Sequence, residues 1–169
     1  MAIIGGSLGA KRINETIASH LDSLLEQGLQ VLWQTGKLYF DRFEELGKKD
    51  GVSMHAFIQH MDLFYSAADV LISRAGAGTI SELCIVGKPV LFIPSPNVAE
   101  DHQTKNALSV VEKDAALMIR ESELDSFGEV LQSMVLDAEK RSVLSKNIKK
   151  LALPDATRRI ADEVEKIVK

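Results

Sequence analysis

Short, wholly apolar runs alternate along this chain with longer segments of helical period. The apolar runs, bounded by turn-forming residues, predict strands at Ala2–Ile4, Gln30–Gln34, Val52–Phe57, Asp69–Ser73, Pro89–Ile93 and Ala116–Ile119. Val70-Leu71-Ile72 and Val90-Leu91-Phe92-Ile93 show no polar alternation. That is the pattern of strands covered on both faces, as in a parallel sheet.

Between the runs the apolar positions recur every three to four residues. Ile13, Ile17, Leu21, Leu24 and Leu25 make one stripe. Leu124, Phe127, Val130, Leu131, Met134 and Val135 make a second, and Ala156, Ile160, Val164, Ile167 and Val168 a third. Ser122 with Asp125 reads as a capping box opening the second of these helices, and Pro154 separates the third from what precedes it. Strands alternating with helices predict an α/β fold, a Rossmann-like doubly wound parallel sheet of six strands in the order 3-2-1-4-5-6.

Composition narrows the class. The 169 residues are 46% apolar and 26% charged, enough for a packed core in one domain. The net charge of −4 argues against nucleic acid as a partner, because phosphate neutralisation needs a basic surface. Charge is uneven: residues 96–138 hold nine acids and three bases, residues 139–169 nine bases and five acids, a pattern of solvated helix faces. One cysteine, Cys84, precludes an internal disulfide and reads as a buried helix thiol. No apolar run is long enough to span a bilayer, and the first residues lack the pattern of a signal peptide. The first strand opens beside Met1 and runs straight into a glycine loop. That fits either a natural domain start or a domain cut from a longer chain.

The candidate chemistry lies in three loops after strands. Gly5-Gly6-Ser7-Leu8-Gly9-Ala10 follows the first strand, Arg74-Ala75-Gly76-Ala77-Gly78-Thr79 the fourth, and residues 94–107, with Asp101, His102, Gln103 and Asn106, the fifth. Glycine permits close backbone approach, and a helix N-terminus attracts an anion. In the predicted order, strands one and four are neighbours at the topological switch point, where α/β sheets bind ligands. Two such loops on one crevice point to a nucleotide. The first loop is not G-x-G-x-x-G, the second strand ends Gln34-Thr35-Gly36 with no acid for an NAD ribose, and no P-loop pattern occurs. His55 and His60 lack further ligands at metal spacing, so no metal is predicted.

These loops, with Phe57-Ile58, Glu82, Gly87-Lys88-Pro89, Asp101 to Ala107 and Leu153 to Thr157, resemble the MurG family of UDP-GlcNAc transferases over essentially the whole chain. The resemblance implies one half of a GT-B glycosyltransferase: residues 1–169 as the C-terminal, UDP-GlcNAc-binding domain, without the N-terminal acceptor domain. The helix 155–168 would face that domain. It implies no cofactor and no metal, with UDP-GlcNAc as donor and lipid I reached through the acceptor domain. The place of action would be the cytoplasmic side of the bacterial inner membrane.

By the same resemblance, the Ile58 backbone would read the uracil edge and Glu82 would accept from the ribose hydroxyls. Ser7 and the amides of Gly78 and Thr79 would hold the diphosphate, and Gly6 and Gly9 of the first loop would also belong to the UDP-GlcNAc site. Ala77, His102, Gln103 and Asn106 would line the GlcNAc pocket, His102 bonding either a hydroxyl or the diphosphate. Arg74 faces either a phosphate or a neighbouring carboxylate. No catalytic residue is expected in this half, which would bind donor without turning it over. Rival readings are a stand-alone donor subunit of a two-chain GlcNAc transferase, a UDP-GlcNAc 2-epimerase-like domain, and a non-catalytic nucleotide sensor.

Overall fold

The computed structural model describes residues 1–6, 8–96 and 101–168. Along the chain it places β1 (Ala2–Ile4), α1 (Lys11–Glu26), β2 (Val31–Gln34), α2 (Phe40–Phe43), β3 (Val52–His55), α3 (Met61–Ser66) and β4 (Leu71–Ser73). Then come α4 (Ala77–Val86), β5 (Val90–Phe92), α5 (His102–Val111), β6 (Leu117–Met118), α6 (Phe127–Val135), α7 (Ala138–Lys150) and α8 (Ala156–Val168). The six strands form one parallel sheet in the order β3-β2-β1-β4-β5-β6, as the alternation of elements predicts. The ladders are shorter than the apolar runs, but their hydrogen bonds reach the flanking residues. Leu71 N–H donates to Pro89 O, Ile93 N–H to Ser73 O, and Ile119 N–H to Phe92 O.

The period-2 geometry of a strand explains why these runs carry no polar alternation. Ile3, Trp33, Ile72 and Leu91 project to one face, where Ile13, Ile17 and Leu21 of α1 and Phe127 and Leu131 of α6 cover them. Ala2, Ile4, Leu71 and Phe92 project to the other, against Phe64 and Tyr65 of α3, Leu83 of α4 and Ala107 of α5. Both faces are dry, so both sets must be apolar. Cys84 is buried in this second layer.

One polar link crosses the first layer. The buried Trp33 indole donates to Asn14 Oδ1 at 3.0 Å, and Asn14 Nδ2 donates to Thr35 O at 2.8 Å. A buried indole N–H needs such a partner, and the pair fixes the C-terminal end of β2 against α1.

The capping box expected at Ser122 and Asp125 forms two residues earlier. Residues Glu121–Ser126 make a 3-10 turn with Arg120 at its N-cap, and the Glu123 carboxylate accepts the Arg120 N–H at 3.4 Å. Glu123, placed three residues beyond the cap, reaches back where Asp125 cannot.

The last helix stands apart from the core. None of its residues is buried, and Ile160, Val164 and Ile167 of its apolar stripe are 65%, 53% and 84% exposed. Among the described residues no helix is long and apolar enough to cross a membrane.

Candidate functional site

In a parallel sheet every helix that follows a strand starts at the same edge. Here α1, α4 and α5 follow β1, β4 and β5, which are adjacent, so their N-termini lie side by side at the switch point. Their first turns share a feature: none of the three contains an acid. By contrast α3, α6 and α7 carry Asp62, Glu129 and Glu139 there, while at the N-cap itself both α5, with Asp101, and α7, with Asp137, hold an acid. Acids in a first turn stabilise a helix by offsetting its dipole. Leaving them out of these three first turns leaves the helix dipoles there less offset, and Lys11 and Arg12 at the start of α1 add positive charge. A crevice of about 410 Å³ lies there, lined by Gly5, Gly9, Lys11, Arg12, Arg74, Ser95, Gln103 and Glu121 among others.

The glycines of the first loop are held by contact with the second strand's loop. Gly9 has φ +87°, and a Cβ there would lie 2.1 Å from Thr35 O. Gly36 has φ +83°, and its Cβ would lie 2.2 Å from Gly9 N. Only glycine permits both the left-handed backbone and this approach. Ser7 lies outside the described residues. Gly6 is exposed, and its carbonyl accepts Gln34 Nε2 at 3.0 Å. Gln34 Oε1 in turn accepts the Ile58 N–H at 3.2 Å. One buried amide therefore joins the glycine loop to the backbone expected to read a base.

In the second loop, Gly76 caps α4 in extended conformation, and Ala77, Gly78 and Thr79 form the first turn. A Cβ at Gly78 would meet no other atom within 4 Å, so that side of the turn is open. Arg74 is turned inward. Its guanidinium donates to Ile93 O at 3.0 Å and pairs with Glu121 at 2.5 Å, with side-chain exposures of 18% and 13%. Glu121 is the neighbouring carboxylate expected as one of the two partners of Arg74. Glu82 lies further along α4, exposed, and accepts a hydrogen bond from Tyr65 Oη at 2.9 Å.

The third loop is anchored to the second. Asn106 Nδ2 donates to Ala75 O at 3.2 Å, and Gln103 Oε1 accepts the Ser95 N–H at 3.0 Å. His102 opens α5 and is exposed. Asp101, before it, has φ +52°, and its carboxylate accepts the Thr104 hydroxyl at 2.6 Å. Among the described residues, no three His, Cys, Asp or Glu side chains cluster in a way that could hold a metal ion.

Gly9, Arg74 and Gln103 thus line one crevice, while Ile58 and Glu82 each hold a partner from outside the expected set. Gln34, Tyr65, Glu121, Lys11 and Arg12 were not singled out by sequence. For Gln34 the signal was there to find: a polar residue closing an otherwise apolar buried strand.

The family described as "Glycosyltransferase family 28 C-terminal domain" matches residues 1–160. The UDP-N-acetylglucosamine--N-acetylmuramyl-(pentapeptide) pyrophosphoryl-undecaprenol N-acetylglucosamine transferase of Flavobacterium psychrophilum is 57% identical over 167 residues, 98% of this chain and 46% of the relative. The enzyme of the same description from Christiangramia forsetii is 56% identical over 98% of this chain and 45% of its own length. The crystal structure of Acinetobacter baumannii MurG superposes with a TM-score of 0.83 at 29% identity, over 98% of this chain and 49% of that one. The chain therefore spans about half the length of the relatives it matches.

Proposed function

The chain belongs to the glycosyltransferase family 28 C-terminal domain family, and on that premise we propose that it is the donor-binding half of an inverting N-acetylglucosaminyltransferase. Its ligand is UDP-GlcNAc, and its reaction, completed with an acceptor domain, turns lipid I into lipid II in peptidoglycan synthesis. The observation that carries this reading is that three helices with no acid in their first turns start side by side at the switch point of the sheet. Such a site suits a diphosphate held without metal.

In this reading the Ile58 backbone reads the uracil edge and Glu82 accepts from the ribose diol, for which a carboxylate offers several acceptor sites. Gly6, Ser7, Gly9, Gly78 and Thr79 surround the diphosphate. Ala77, His102, Gln103 and Asn106 face the sugar. The MurNAc C4 hydroxyl attacks C1 of UDP-α-GlcNAc, the bond from C1 to the phosphate oxygen breaks with inversion, and UDP leaves. The proton passes to a base on the acceptor domain. This half contributes position and the electrostatic stabilisation of charge growing on UDP, through helix ends fixed before the reaction.

The exposed apolar stripe of α8 supports a partner for this half. The occupant proposed is the acceptor domain, and through it the cytoplasmic face of the bacterial inner membrane. The experiment is calorimetric titration of the chain with UDP-GlcNAc, UDP, GDP and NAD, repeated on Glu82→Ala. Uridine-selective binding, weakened at least about tenfold by the substitution, is expected. Equal binding of GDP or NAD, or turnover by the chain alone, would count against the reading.

A further inference from the structure

Glu82 sits on the exposed side of α4, where a glutamate side chain ordinarily samples several rotamers. Contact with a ribose diol requires one of them. The constraint comes from the neighbouring helix: Tyr65 Oη donates to Glu82 Oε2 at 2.9 Å. Tyr65 is itself fixed. It is 6% exposed, its ring meets Phe64 edge-on at 6.0 Å, and it belongs to the core cluster that holds Leu71 and Leu83. A rigid buried ring therefore presents one hydroxyl to one carboxylate oxygen.

The protonation state suits that role. Burial first, and the Glu82 carboxylate second, push the Tyr65 phenol well above its ordinary range. It stays protonated, and so a donor, at any pH at which the domain would work. The bond occupies one lone pair of Oε2 and leaves Oε1 and the other lone pair of Oε2 as acceptors.

We propose that Tyr65 is a positioning residue that orders Glu82 before ligand arrives and thereby sets preference for ribose over 2′-deoxyribose in the bound nucleotide. The proposal rests on the ribose role assigned to Glu82 above. Ordering the carboxylate in advance removes a cost that binding would otherwise meet.

The test is titration of the chain with UDP and with dUDP, for the unmodified protein, Tyr65→Phe, Glu82→Ala and the double variant. Phenylalanine keeps the ring and its packing, and near-ultraviolet circular dichroism confirms the fold. Tyr65→Phe is expected to weaken UDP about five- to tenfold and dUDP much less, so that the preference shrinks. On the Glu82→Ala background the same change is expected to alter UDP affinity no further. Equal weakening of UDP and dUDP would assign Tyr65 a merely structural role and overturn the proposal. So would an undiminished effect on the Glu82→Ala background. Failure of the unmodified chain to bind either nucleotide would overturn the ribose reading of Glu82 itself, an outcome separate from the two above.

Discussion

Gln34 and Ile58 are joined by a hydrogen bond from the Ile58 N–H to the Gln34 side-chain oxygen, 3.2 Å long, while the amide nitrogen of Gln34 holds Gly6 O at 3.0 Å. The side chain is 3% exposed. It spaces the first glycine loop from the backbone after β3, so it sets the distance between the proposed diphosphate and base subsites. Gln34→Leu removes both bonds and leaves the half-buried Ile58 N–H without its acceptor. We expect a loss of about 1–3 kcal/mol in stability and weaker UDP binding. Gln34→Glu keeps the acceptor for Ile58 but sets an unpaired buried carboxylate against Gly6 O, and should cost at least as much. Denaturant midpoints and titrations on the three proteins check this, and unchanged midpoints would show that the bridge is idle.

The glycine loop makes a graded prediction. At Gly9 an added Cβ meets Thr35 O at 2.1 Å, whereas at Gly6, also left-handed with φ +81°, it meets nothing within 4 Å. Gly6→Ala should therefore cost only the backbone term, about 1 kcal/mol. Gly9→Ala adds a backbone collision that must displace one of two loops, and should cost about 3 kcal/mol or more. Gly36→Ala, facing Gly9 N at 2.2 Å, belongs with Gly9. Equal midpoints for the Gly6 and Gly9 variants would refute the ranking.

The fold was legible because its signal is local and repeated. Each strand such as Val70-Leu71-Ile72 is apolar on both faces, each helix such as α1 has one stripe, and the chirality of crossovers leaves few topologies. The site was legible only as far as its loops. That Gly9 must be glycine follows from a contact with Thr35, twenty-six positions away in sequence and invisible until the sheet is assembled. The same holds for Tyr65 with Glu82 and for Arg74 with Glu121, each pair brought together from separate elements. Helix ends also resisted reading. The cap moved from Ser122 to Arg120 because a side chain's reach back along a 3-10 turn, and not residue preference alone, decides which acid closes it.

Arg74 and Glu121 make a nearly buried pair, and this predicts a separation of stability from binding. The guanidinium also donates to Ile93 O at 3.0 Å, so it ties the loop after β4 to the end of β5 and to the turn after β6. Arg74→Ala leaves the Glu121 carboxylate without its cation at 13% exposure. The expected loss is about 3 kcal/mol. Glu121→Gln, which keeps an acceptor but removes the charge, leaves the arginine solvated in part by the crevice and should cost less. If Arg74 acts structurally, the double variant Arg74→Met with Glu121→Leu regains much of the stability and keeps UDP affinity. Loss of affinity with stability restored would instead give Arg74 a phosphate.

The protein should lose stability in alkali through two identified groups. Burial pushes the Cys84 thiol up, against a smaller opposing pull from Lys113, and burial with the Glu82 contact pushes the Tyr65 phenol up. Both are neutral when protonated, so the native state keeps these protons to higher pH than the unfolded chain does. The unfolded thiol begins to ionise near pH ~8.5 and the unfolded phenol near pH ~10. Below those values both states are protonated and the contribution to stability is full. As pH rises through them, only the unfolded state gains by ionising, so stability falls. Urea midpoints measured from about pH 7 to about pH 11 should therefore decline in two stages. Cys84→Ala should flatten the earlier stage and Tyr65→Phe the later one. Curves for both variants that run parallel to that of the unmodified protein would show that neither group holds its proton through burial.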